Sequence, residues 1–194
     1  MMTREEALLI VKKYVRTPGL INHMLSVEAV MRYYAELLNE DVDQWGITGL
    51  LHDFDWEIHP TSELHPSAGA VILRSANVNE VIIRAILSHG SNTGIPRESK
   101  LEKYLTACDE ITGLVTAVAL VRPSKSLFDL NASSVKKKWK DKAFAAGTNR
   151  EEMEAGAIDC GIELWQHVDN VIVAMRRIAP ELGLEGNLKP DGDN

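Results

Sequence analysis

Leu20-Ile21-Asn22-His23-Met24-Leu25-Ser26-Val27-Glu28-Ala29-Val30-Met31-Arg32-Tyr33-Tyr34-Ala35-Glu36-Leu37-Leu38-Asn39 is the stretch on which the fold turns. Leu20, Met24, Val27, Met31, Tyr34 and Leu38 are spaced alternately by four and three residues. That spacing lays all six on one face of a helix and makes a seam that must be buried. A half-buried strand would alternate every second residue instead.

Working outward, the same period recurs nearly throughout. Thr3 and Glu6 form a capping box, and Ala7, Leu8, Ile10, Val11, Tyr14 and Val15 follow on one helical face. Thr17-Pro18-Gly19 separates this helix from the seam helix. Downstream, helices are predicted over about 42–52, 65–75 and 77–88, the last capped by Asn77 or Asn79. Gly90, Gly94 and Pro96 mark 89–99 as a loop. Ser99 opens a long helix to about Val121, ended by Pro123. The polar interval 124–148 holds at most short helices. A final helix covers about 150–178 with a break near Gly161, and residues 183–194 read as a frayed, flexible tail. No strand alternation and no internal repeat is found. The fold class is all-α, expected as a single helical bundle over 1–182.

Composition narrows the field. The chain has 194 residues, 45% hydrophobic and 25% charged, with a formal charge of −7. These values suit a globular domain and exclude wholesale disorder or a disulfide miniprotein. The acidic balance argues against broad binding of extended nucleic acid. Cys108 and Cys160 lie far apart without metal-ligand spacing and read as core residues. The N-terminus lacks a signal-peptide apolar region, and no uninterrupted apolar run approaches a membrane span. A soluble cytoplasmic protein without membrane partners is the expectation.

Five of the six histidines fall between positions 23 and 89. His52-Asp53 closes the apolar run Ile47-Thr48-Gly49-Leu50-Leu51. A buried imidazole and carboxylate there need hydrogen bonds, a partner or a metal. Together they are ordinary ligands for Zn, Fe, Mn, Co or Ni. His23 lies beside the seam, one turn before Val27. His89 ends the run Val81–Leu87, and His65 opens the preceding helix. Asp109 lies within Leu105-Thr106-Ala107-Cys108-Asp109-Glu110-Ile111, where it needs either a metal or a cation such as Arg84 or Lys103. His59 reads as a loop residue, and His167 is assigned no role.

The ordered set INHMLSVEAVM, GLLHDFD, AILSHG and ACDEITGL resembles the HD-domain metal-dependent phosphohydrolase superfamily over about residues 18–130. SKLEKYLTACDEITGLVTAVALVRPSKSL and SVKKKWKDKAFAAG are similar to a group of small bacterial HD proteins. The resemblance implies a helical bundle around one or two divalent transition metals (Mn, Fe, Co, Ni or Zn). It implies His23, His52, Asp53 and Asp109 as ligands, with His65 and His89 added in a dinuclear centre. Asp53 would bridge the two ions and orient the attacking water, which is its catalytic role. The implied substrate is a nucleotide or another small phosphoester. Two alternatives remain on the same scaffold: a di-iron oxygenase, or a metal-containing regulatory module without turnover.

Departures from named subgroups limit the assignment. The doublet continues as HDFDWE, not HDIG. No GYP tripeptide occurs. Trp56 stands where the 5′-nucleotidase and guanosine-tetraphosphate hydrolase types carry glutamate. Arg122 and Lys125, just after the Asp109 helix, are candidates for holding substrate phosphate, or for complementing a helix C-terminus. The Lys136–Lys142 cluster reads as a solvated helix face, with phosphate or polynucleotide binding as the alternative. The four tryptophans are scattered and suggest no stacking platform. The apolar last helix leaves room for a homodimer.

Overall fold

The structure is a computed structural model that describes residues 2–141 and 143–187. Among the described residues ten helices account for the regular structure: α1 (Arg4–Tyr14), α2 (Pro18–Leu38), α3 (Val42–Leu51), α4 (Ser67–Ser75), α5 (Glu80–His89), α6 (Lys100–Val121), α7 (Ala132–Trp139), α8 (Arg150–Asp159), α9 (Leu164–Arg176) and α10 (Ala179–Leu182). Among the described residues there is no strand, so the protein is all-α. Its contacts divide it into two compact units, Met1–Thr106 and Ala107–Asn194.

In the first unit the chain starts as its sequence dictates. Thr3 Oγ1 accepts from the Glu6 N–H, and the Glu6 carboxylate accepts from the Thr3 N–H. This reciprocal box satisfies two of the donors that a helix start leaves open. α3 lies at the centre, packed against α1, α2 and α5. Trp45 through Leu51 are all buried on it, which is why its sequence is apolar on every side. Ala7, Val11, Met24, Ile47, Leu50, Leu51, Phe54, Leu73, Ile82, Ile83 and Ile86 form the core. Glu28, only 3% exposed, accepts from Arg4 through both carboxylate oxygens and from Arg32 Nε, tying α1 to α2.

Several boundaries differ from the periodicity by a turn. Pro18 is the first residue of α2, where its missing N–H costs nothing. α4 begins at Ser67, so His65 precedes the helix it was expected to open. α5 begins at Glu80 with Asn79 as its cap, because Asn77 takes a left-handed conformation (φ 57°) and turns the chain. Arg84 is engaged by Glu98 and Glu102.

In the second unit α9 packs against α7 and α8. The expected long last helix is two, separated at Gly161 (φ 68°). His167 is fully buried, with its Nε2–H donating to the Ala107 carbonyl at 2.8 Å. The expected flexible tail begins with buried Leu184, whose carbonyl accepts from the Leu127 N–H; residues 188–194 lie outside the described residues. α6 alone among the described helices is long and apolar enough to cross a membrane. Since 61% of that stretch is buried within the protein, a core role explains its composition.

Candidate metal centre

The meeting of His23 and His52 starts from a glycine. A Cβ on Gly49 would stand 2.9 Å from the Glu28 amide nitrogen and 3.0 Å from the Val27 carbonyl carbon. Only glycine lets α3 approach the α2 backbone so closely. One turn further along each helix, His23 Nε2 and His52 Nε2 stand 3.2 Å apart.

The ring orientations follow from hydrogen bonds. His52 ends α3, and its Nδ1 lies 2.8 Å from the Gly49 carbonyl. A carbonyl only accepts, so Nδ1 carries the proton, and in the neutral ring Nε2 keeps its lone pair. His89 ends α5 in the same way, with Nδ1 donating to the Ile86 carbonyl. His65 Nδ1 lies 2.8 Å from Asp55 Oδ1. His65 Nε2 and His89 Nε2 then face each other at 3.2 Å.

Asp53 joins the two histidine pairs. Its Oδ2 lies 3.6 Å from His23 Nε2 and 3.5 Å from His52 Nε2. Its Oδ1 lies 3.2 Å from His65 Nε2 and 3.5 Å from His89 Nε2. Burial alone would push the Asp53 carboxyl up. The opposing charge of His52, hydrogen bonds from His65 and His89, and the charge of His23 together hold it well below the usual range. Burial would likewise lower His65, but its bonds to Asp53 and Asp55 raise it to about 9.

This donor set fits divalent transition metals. Ligands held at about 2.0–2.2 Å around one ion stand roughly 3.0–3.5 Å from each other. The nitrogen–nitrogen and nitrogen–oxygen separations here fall in or near that interval. Opposed imidazole lone pairs at 3.2 Å repel unless a proton or a cation lies between them. His23, His52 and Asp53 offer one set of ligand atoms within 4.8 Å of one another, and Asp53, His65 and His89 offer another.

Three further expected residues lie on α6 or just after it. Asp109 is half-buried on α6. Arg122 donates to Asp129 Oδ2 at 2.5 Å and to Ser134 Oγ at 3.0 Å, so its charge is already matched. Lys125 is exposed at a left-handed turn position (φ 48°). Trp139 and Trp165, which looked scattered, meet edge to face with centroids 5.3 Å apart. Lys136 lies over the Trp165 ring and Lys138 over Phe144; Lys142 lies outside the described residues. A cleft of about 700 Å³ borders Trp139, Lys140, Asn149 and Arg150 and contains none of the expected site residues.

Two site neighbours escaped the sequence. Asp55 is fully buried and serves His65. Trp56, 41% exposed, presents its ring edge-on to His65 at 5.0 Å. The contiguity HDFDW was the available signal for both.

No solved structure matches this chain. The model of the HD domain family matches residues 20–114, from the seam helix α2 into α6, and includes every histidine and aspartate of the two clusters. Through that segment the chain belongs to the HD-domain superfamily.

Proposed function

We propose that this protein is a metal-dependent phosphohydrolase acting on a nucleotide or another small phosphoester. The observation that carries the reading is the division of the Asp53 carboxylate between two histidine pairs, each pair with its Nε2 atoms turned inward. HD domains bind divalent metals and are mostly metal-dependent hydrolases, which supports it.

In this reading His23 and His52 would hold one ion, with Asp109 as the further ligand that the resemblance implies; His65 and His89 would hold a second, and the Asp53 carboxylate would be shared between them. Such ions, when bound, supply a water acidic enough to ionise near neutral pH and neutralise charge growing on the phosphoryl oxygens. The chain's own residues do the positioning. The backbone carbonyls of Gly49 and Ile86 keep His52 and His89 in the Nδ1–H tautomer. Asp53 stays ionised and accepts a hydrogen bond from the attacking water. With Arg122 occupied by Asp129, Lys125, exposed in the turn after α6, is the cation proposed for substrate phosphate. Trp56 gives a base a ring to stack on.

The test is elemental analysis of untagged, chelator-free protein beside His52→Ala and Asp53→Ala, followed by a phosphoester screen. About two equivalents of transition metal, lost in the variants together with phosphate release, is the expected result. Absence of metal after reconstitution would overturn the reading. So would a loaded protein that releases no phosphate and instead shows the spectrum of a mixed-valent di-iron centre.

A further inference from the structure

Three of the four inward-facing histidines, His52, His65 and His89, do not obtain their orientation alike. His52 and His89 each close a helix, and each donates from Nδ1 to the carbonyl three residues back in its own last turn. His65 lies before α4, and the carbonyl three residues back, that of Ser62, accepts from Asn92 instead. Its Nδ1 meets Asp55 Oδ1 at 2.8 Å, and Asp55 Oδ2 accepts from the Gly69 N–H at 3.1 Å. Asp55 has no exposed surface. A carboxylate so deep is costly unless its lone pairs are filled. Here one oxygen serves the open Gly69 N–H at the start of α4, where Pro66 offers no side-chain cap, and the other serves the imidazole.

We infer that Asp55 is the positioning residue of this centre: it sets the tautomer and direction of His65, so that Nε2 is presented to the second ion. The inference rests on the proposed metal centre and adds an asymmetry to it. A carboxylate acceptor makes an imidazole a stronger ligand than a backbone carbonyl does. The site of His65 and His89 therefore depends on a buried charge, whereas His52 takes its orientation from a backbone carbonyl. Gly69 is part of the device, because a Cβ there would meet the Asp55 carboxylate at 2.5–2.9 Å.

The experiment is calorimetric titration of Mn²⁺ into chelator-stripped wild type, Asp55→Asn, Gly69→Ala and His65→Ala, with ¹⁵N spectra of His65 in the metal-free proteins where the ring is neutral. The expected result is a 10–100-fold weaker second equivalent in Asp55→Asn and Gly69→Ala, with the first equivalent unchanged. Retention of that first equivalent also shows that each variant is folded. If Asp55→Asn does not fold, Gly69→Ala carries the test. The ¹⁵N shifts should report Nδ1–H in wild type and a mixed tautomer in the variants, a change that a merely structural role would not produce. Two full-strength equivalents and an unchanged tautomer in a folded variant would overturn the inference while leaving the metal centre standing. A wild type that binds no Mn²⁺ yet shows the tautomer switch would overturn the metal centre instead, and with it the role of Asp55 toward a metal.

Discussion

Gly49 of α3 lies against the backbone of Glu28 on α2, so near that a Cβ would stand 2.9 Å from the Glu28 nitrogen. The neighbour is main chain and cannot rotate aside. The close approach that follows is what carries His23 to within 3.2 Å of His52. Gly49→Ala should therefore separate the helices. Overpacking costs about 1–3 kcal/mol, against about 1 kcal/mol gained in helix propensity, and the net loss should show in urea unfolding. Gly19→Ala is the control, because its Cβ meets nothing within 4 Å; it should leave stability unchanged or slightly raised. Equal stability in the two variants would show that the α2–α3 contact does not constrain the site.

Much of this was legible before any coordinates. The alternating seam of α2, the Thr3–Glu6 box and the Asn79 cap are local rules, and the structure obeys them. The His/Asp set could be picked out through its ordered resemblance to HD domains, with the position of His52-Asp53 at the end of an apolar helix as the local signal beside it. Asp55 could not. In HDFDWE it reads as one more acid in a turn, and its burial depends on the segment 65–69 folding over it. The pairing of Trp139 with Trp165 was hidden for the same reason, since it depends on how α7 packs on α9. Arg122 looked like a free cation because Asp129, seven residues on, reaches it only through the turn after α6.

Glu28 predicts a stability effect remote from any chemistry. Its carboxylate, 3% exposed, takes hydrogen bonds from Arg4 Nε at 2.6 Å, Arg4 Nη2 at 2.9 Å and Arg32 Nε at 2.9 Å. Glu28→Ala leaves two partly exposed guanidinium groups without that acceptor and unties α1 from α2. A loss of about 1–3 kcal/mol is expected. Arg4→Ala should cost less, because Arg32 still satisfies the carboxylate. Denaturant midpoints check the order; a larger loss in Arg4→Ala would show that the pairing with Arg32 is secondary.

Trp56 makes a prediction about substrate. Its ring is 41% exposed and stands beside His65. Stacking of a base on an aromatic side chain is worth about 1–3 kcal/mol, so Trp56→Ala should raise KM for a nucleotide by roughly 5–150-fold. A small alkyl phosphate should be turned over as before, since it has no ring to stack. Steady-state kinetics on both substrates separates the outcomes, and an equal change in both would assign Trp56 to the frame of the site instead.

His167 gives the pH dependence. Burial lowers its pKa, and the hydrogen bond to the Ala107 carbonyl only partly opposes this. The unfolded chain binds a proton on this histidine below about pH 6.5, whereas the folded protein does not until its lower pKa is reached. Between those values the unfolded state holds more protons, so stability rises with pH and falls as pH drops. The His167 contribution is thus complete above about pH 6.5 and is lost progressively below it. His65 leaves this window undisturbed. Its raised pKa of about 9 in the metal-free protein makes its contribution complete below about 6.5 and lost only as pH rises toward 9. His167→Gln keeps an N–H donor for Ala107 and cannot titrate. Urea midpoints of the metal-free proteins between pH 6.5 and 5 should fall for wild type and stay flatter for His167→Gln. Parallel curves would assign the acid sensitivity of the fold to other groups.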